Sequence, residues 1–138
     1  MHMINEVRTK YRIFVVDDDE ILADMTGQML RLMGYSTMVC SKPLDALALF
    51  SEAPERFDAV IVDEMMPDLR GTQLAIQLLR VKDDIPIILM TGYGDTISVE
   101  RVRKSGVRAT LIKPVQKEKL EDALETVLKR SRKGVSER

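Results

Sequence analysis

Tryptophan is absent from this chain, and cysteine and histidine occur once each. The single cysteine, Cys40, excludes an internal disulfide and suits a reducing cytoplasm. It follows an apolar stretch and reads as a small hydrophobe near the end of a strand. The lone histidine, His2, stands beside Met3 in a pair that reads as a cloning remnant, so no histidine is expected inside the fold. Long hydrophobic runs are missing too. Nothing approaches the roughly 18 apolar residues that cross a membrane, and the polar start from Met1 to Tyr11 has no signal-peptide core. Nor does one sign of charge dominate: a net charge of -1 and a pI near 5.9 argue against a generic polyanion-binding surface.

What is present is an ordinary mixture, 45% hydrophobic and 31% charged over 138 residues. That length buries about two-thirds of the unfolded surface and fits one domain. The domain is taken to span 11–131, between an N-terminal extension at 1–10 and a C-terminal tail at 132–138. Strand and helix patterns alternate five times without a break in composition. Strands are expected near 12–16, 36–40, 58–62, 86–90 and 109–112, and helices near 20–33, 43–52, 71–81, 96–105 and 116–131. Such alternation favours a parallel sheet with right-handed crossover helices on both faces.

Ile21, Leu22, Met25, Met29, Leu32 and Met33 recur at three- and four-residue spacings and predict the core stripe of the first helix, with the methionines as packing residues. Gly34 and Gly106 are expected as left-handed stops of the first and fourth helices. Leu120, Ala123, Leu124, Val127 and Leu128 give the last helix its apolar side. Its cationic end, Lys129-Arg130-Ser131-Arg132-Lys133-Gly134, complements the helix dipole better than it makes a nucleic-acid patch. Only Val135 to Arg138 follow, so no output domain is expected there.

The chemistry gathers at strand ends. The run Ala59 to Val62 closes on Asp63, and Glu64-Met65-Met66-Pro67-Asp68-Leu69-Arg70-Gly71 then reads as a loop before the next helix. Arg12 to Val16 runs into Asp17-Asp18-Asp19-Glu20, Ile85 to Met90 into Thr91-Gly92, and Ala109 to Ile112 into Lys113-Pro114. In an open parallel sheet, ligands bind beyond the carboxyl ends of the strands. Carboxylates, a hydroxyl and an ammonium there outline a metal-assisted phosphoryl site. Asp19 and Glu20 read as the cap of the first helix, and because one helix start does not need three aspartates, Asp17 and Asp18 are left for another task.

Together, Val15-Val16-Asp17-Asp18-Asp19, the stretch from Asp63 to Gly71, Met90-Thr91-Gly92 and Lys113-Pro114 resemble the receiver domain of bacterial two-component response regulators, over roughly residues 11–130. The resemblance implies a flavodoxin-like, doubly wound (βα)5 fold with sheet order 2-1-3-4-5. It implies Asp63 as the nucleophile that takes a phosphoryl group from a phosphohistidine of a sensor kinase or phosphotransfer protein. Asp18, Asp63 and the backbone carbonyl of Met65 would hold Mg2+, with Asp17 acting through water. That set suits a cation that prefers hard oxygens and keeps several waters. Thr91 and Lys113 would bind the phosphoryl oxygens, Gly92 would leave room for the group, and Pro114 resembles the family's proline after a cis peptide bond, which would aim Lys113 into the site.

The same resemblance implies a cytoplasmic signalling phosphoacceptor rather than a turnover enzyme, either stand-alone or part of a hybrid kinase. No direct nucleic-acid or membrane contact is expected, and a homodimer formed on phosphorylation is compatible with it. Two positions depart from the family: Thr110 stands where an aromatic residue is common, and Val115 where Lys-Pro-Phe is usual. Thr110 is too small for the usual aromatic lever. The activated state is therefore expected to be read out through the loop after the fourth strand, where Gly92 and Gly94 flank Tyr93. Met65 and Tyr93 flank the route of attacking water, and since neither is an obvious general base, autodephosphorylation is expected to be slow.

Two other readings compete. A haloacid-dehalogenase-like phosphatase would use the Asp17-Asp18-Asp19 spacing with Thr91 and Lys113. It needs further acids after its lysine, where Glu118 and Glu121 fall inside a helix, and it leaves Asp63 unexplained. A pseudo-receiver, a binding module that is never phosphorylated, would not require every acceptor, metal and phosphate position to be filled, as they are here.

Overall fold

The computed structural model describes residues 8–92 and 97–130. Five strands, β1 (Arg12–Val16), β2 (Ser36–Cys40), β3 (Ala59–Asp63), β4 (Ile87–Gly92) and β5 (Ala109–Lys113), form one sheet in the order β2-β1-β3-β4-β5. Every neighbouring pair is parallel. The helices are α1 (Glu20–Leu32), α2 (Pro43–Glu52), α3 (Gly71–Val81), α4 (Val99–Ser105) and α5 (Lys117–Arg130), with a 3-10 turn at Pro54–Arg56. This is the doubly wound, flavodoxin-like arrangement expected from the sequence.

The sheet is covered on both sides because alternate strand residues are apolar in both directions. Ile13, Val15, Ala59, Ile61, Ile88 and Met90 pack with Leu30 of α1 and with Leu120, Leu124, Val127 and Leu128 of α5. Their strand neighbours Phe14, Val16, Val60, Val62, Ile87 and Leu89 pack with Ala46 and Phe50 of α2 and Leu74, Ala75 and Leu78 of α3. All three phenylalanines of the chain meet on that second side, Phe57 stacking on Phe14 at 4.5 Å and on Phe50 at 5.7 Å between ring centres. Each fully buried aliphatic or phenyl side chain contributes about 1.5–3 kcal/mol relative to its exposed state.

Local signals set the helix ends. Asp19 caps α1, its Oδ1 accepting from the amides of Ile21 and Leu22 at 3.1 and 3.2 Å. Pro43 occupies the first turn of α2. Gly34 and Gly106 have φ of 107° and 86°, the left-handed backbone expected of helix stops. The fourth helix begins at Val99 rather than near 96, because the Ser98 hydroxyl accepts from the Arg101 amide at 3.0 Å and fixes the start there. β3 extends to include Asp63 and β4 to include Thr91 and Gly92, so these residues lie within the ladder rather than just past it.

The face of α1 was not the expected one. Ile21, Leu22, Met25 and Leu32 are exposed, Leu32 by 85%, whereas Ala23, Gly27 and Leu30 are buried, with Met29 half-buried and Met33 buried beside them. The reason is close approach: a Cβ at Gly27 would stand 2.8 Å from Val39 Cγ2 on β2. Small residues let the helix lie against the sheet, and the larger apolar residues are turned outward.

Arg8, within the stretch read as an extension, is packed into the fold. Its guanidinium is 2.6 Å from Glu125 and 2.9 Å from Glu121 on α5, donates to the Met33 carbonyl at 3.0 Å, and lies 5.5 Å over the Tyr35 ring. His2, Tyr93, Gly94 and the cations from Ser131 onward lie outside the described residues.

Candidate functional site

Four strand ends deliver the side chains singled out in the sequence. Asp17 follows β1, Asp63 closes β3, Thr91 lies near the end of β4, and Lys113 closes β5. Asp63 pairs in register with Met90, Thr91 with Ile112, and Gly92 with Lys113, so the groups share the carboxyl edge of adjacent strands. Each follows an apolar run that the sheet core requires, and the edge is where the chain leaves that core. The Lys113–Pro114 peptide bond is cis, in keeping with the resemblance.

Asp17, Asp18 and Asp63 come together, with one ligand oxygen from each lying within 4.8 Å of the others. Asp17 and Asp63 are buried, at 1% and 2% exposure, while Asp18 faces outward. Lys113 Nζ is 2.9 Å from Asp63 Oδ1 and 3.9 Å from Asp17 Oδ2. Both of these oxygens are buried, and apart from their contacts with Lys113 neither has a hydrogen-bond partner among the described residues. The other oxygen of Asp17 accepts from the Asp19 amide at 3.1 Å.

The electrostatics follow from that crowding. Burial pushes the Asp63 carboxyl up to about 6; Asp17 and Asp18 add to the rise and Lys113 opposes it. Burial also raises Asp17, against the Asp19 amide and Lys113. For Lys113 burial works against the charge, but Asp63, Asp17 and Asp18 outweigh it and the ammonium is held more firmly. Fully ionised, three carboxylates face one ammonium. Two like charges at this separation repel by roughly 3–4 kcal/mol at an effective dielectric near 20, so a divalent cation among these oxygens would relieve the site.

Met65, half exposed, leads out of β3, and no hydrogen bond from the described residues reaches its carbonyl. Glu118 is exposed on α5 and Glu121 on the same helix is paired with Arg8, so neither acid joins this group. Sequence reading missed Glu64, which is fully buried beside Asp63, and its partner Thr72. No local signal marked it: Arg70 stands at the N-cap of α3 without a side-chain cap bond, but so does Lys42 at α2.

A family model described as the response regulator receiver domain matches residues 13–125. Among solved structures, a response regulator receiver domain protein from Clostridium thermocellum superposes with a TM-score of 0.82 at 27% identity, covering 87% of this chain and 95% of that one. A CheY-like receiver domain protein from Methanospirillum hungatei gives 0.79 at 29% identity, covering 90% and 98%. Among curated proteins, the two-component response regulator ARR14 of Arabidopsis thaliana is 34% identical over 119 residues, which is 86% of this chain and 31% of that protein. The probable transcriptional regulator ycf27 of Guillardia theta is 32% identical over 129 residues, 94% of this chain and 50% of that protein. The chain thus spans half or less of these curated relatives.

Proposed function

This chain belongs to the response regulator receiver domain family of two-component signalling, and from that membership we propose that Asp63 accepts a phosphoryl group from a phosphohistidine on a sensor kinase or phosphotransfer protein. The observation that carries the reading is the Lys113 ammonium set 2.9 Å from Asp63 inside a cluster of three carboxylates at the sheet's carboxyl edge. A carboxylate oxygen of Asp63 attacks phosphorus as the bond from phosphorus to the donor imidazole nitrogen breaks, and the electron pair stays on that nitrogen. Lys113 then faces the new phosphoryl oxygens, and Thr91 donates to them from the adjacent strand. Such transfers depend mainly on positioning and on charge stabilisation.

The two buried oxygens of Asp17 and Asp63, which face only Lys113 among the described residues, together with the Met65 carbonyl, fit a hard divalent cation. Asp18, Asp63 and the Met65 carbonyl would hold Mg2+, with Asp17 acting through water. When bound, the ion neutralises charge on the transferred group.

Asp63 also promotes its own labelling from small acyl phosphates, and loss of the group is slow, because the exposed Met65 thioether beside the acceptor is no general base. Within the cell the domain works in the cytoplasm, as a stand-alone regulator or as part of a hybrid kinase; homodimerisation on phosphorylation is compatible with either. Among the described residues, no helix is long and apolar enough to cross a membrane. Acetyl phosphate with Mg2+ should add one phosphoryl group to the wild type, seen by intact mass. Lys113→Ala should slow the uptake by about 10²–10³-fold. Retention of the increment in Asp63→Asn would remove the assignment, and steady hydrolysis of a phosphomonoester would favour a phosphatase instead.

A further inference from the structure

Glu64 directly follows the acceptor, yet none of it is exposed. Its carboxylate is engaged by the next helix: Oε1 accepts from the Thr72 amide at 2.8 Å and Oε2 from the Thr72 hydroxyl at 3.2 Å, with the Arg70 guanidinium 3.8 Å away. The Glu64 carbonyl accepts from the Gly71 amide at 3.1 Å, so the first two amides of α3 both end on this residue. Arg70 at the N-cap makes no side-chain cap bond and its own amide donates to Gln73 Oε1 at 3.0 Å, while α2 starts at Lys42 with no side-chain cap bond, so helix starts in this fold do not require a borrowed carboxylate. Burying a carboxylate is costly unless it is paired and hydrogen-bonded, so a glutamate reaching back across the loop needs a reason beyond capping.

The reason lies in what the bridge encloses. The Glu64 amide donates to the Met90 carbonyl at 2.9 Å, continuing the β3–β4 ladder one residue past the strand. At the other end, a Cβ on Gly71 would stand 2.4 Å from the Asp63 carbonyl oxygen, so α3 begins against the acceptor's own peptide. Met65 leaves from this closed junction.

We propose that Glu64 is a positioning residue: by tying the acceptor's neighbour to the first turn of α3, it sets where the Met65 carbonyl stands relative to Asp18 and Asp63, and so sets the affinity of the site for a divalent cation. This rests on the metal reading above. Mg2+ demands near-ideal octahedral geometry, and a carbonyl on a loosened loop would have to be ordered each time the ion binds.

Mg2+ binding to the unphosphorylated protein, followed by titration calorimetry, tests it without any turnover. Glu64→Gln keeps an acceptor for the Thr72 amide and the same volume, and should bind Mg2+ within about threefold of wild type, whereas Glu64→Leu should bind about tenfold more weakly, as for lost outer-shell support. Thr72→Val removes one of the two bonds and should weaken binding by about two- to threefold. Wild-type affinity in both Glu64→Leu and Thr72→Val overturns the proposal. So does a Glu64→Gln variant as weak as Glu64→Leu, because the charge and not the bridge would then matter. Should Glu64→Leu fail to fold, Thr72→Val decides alone, and wild-type affinity there overturns the proposal. A wild type that binds no Mg2+ is a separate result, which removes the metal reading itself.

Discussion

A carboxylate buried beside two others resists ionisation, and Asp63, raised from an ordinary 3.8 to about 6, carries the consequence. Its folded-state pKa lies above its unfolded value, so the fold favours the protonated form. That stabilisation is complete below about pH 4 and is lost as pH rises through about 6. In EDTA, Asp63→Asn should therefore be more stable than wild type by roughly 1–3 kcal/mol near pH 7.5, with the gap closing toward pH 4. Urea titrations at the two pH values check this, and a wild type at least as stable as the variant near pH 7.5 contradicts it. Asp17, Asp63, Thr91 and Lys113 were legible because a polar group ending an apolar run has few other places to go. Glu64 was not. An acid following an acid reads as loop, and its burial depends on Thr72, eight residues along and met only when the loop closes.

At the scale of elements, strand positions came through almost unchanged: the central strands β1, β3 and β4 are covered on both faces and so are apolar almost throughout, while the edge strands β2 and β5 are only partly buried. The face of α1 did not come through. Its apolar residues occur on more than one side, and the sheet selected the narrow side, Ala23, Gly27 and Leu30, over the bulky one. Ile21→Lys and Met25→Lys should accordingly change stability by no more than about 0.5 kcal/mol. Gly27→Leu should cost about 1–3 kcal/mol or more, as an overpacked contact. Chemical denaturation of the three variants decides it, and a large loss from Ile21→Lys would restore the stripe read from the sequence. Arg8 makes the complementary case, in which a charged residue near the start of the chain serves as core. Removing it takes a partner at 2.6 Å away from the buried Glu125, so Arg8→Ala should destabilise by about 1–3 kcal/mol. A loss below about 1 kcal/mol by the same method would show the cluster to be incidental.

Over the whole molecule, the fold and the site are one consequence of the same pattern. A five-stranded parallel sheet needs apolar strands, and the residues that end them are forced to one edge, where three carboxylates face a single lysine. A cation that binds this edge binds only the folded chain, so millimolar Mg2+ should raise the melting temperature of the wild type and raise that of Asp18→Ala less. An equal shift in both would place the ion elsewhere. The covalent step is the most direct test of the central claim. After incubation with acetyl phosphate and Mg2+, borohydride reduction converts an aspartyl phosphate to homoserine, and peptide sequencing by mass spectrometry locates it. Homoserine at position 63 alone is the expected result; homoserine at 17 or 18, or at no position in a chain that had gained phosphate, would contradict Asp63 as the acceptor.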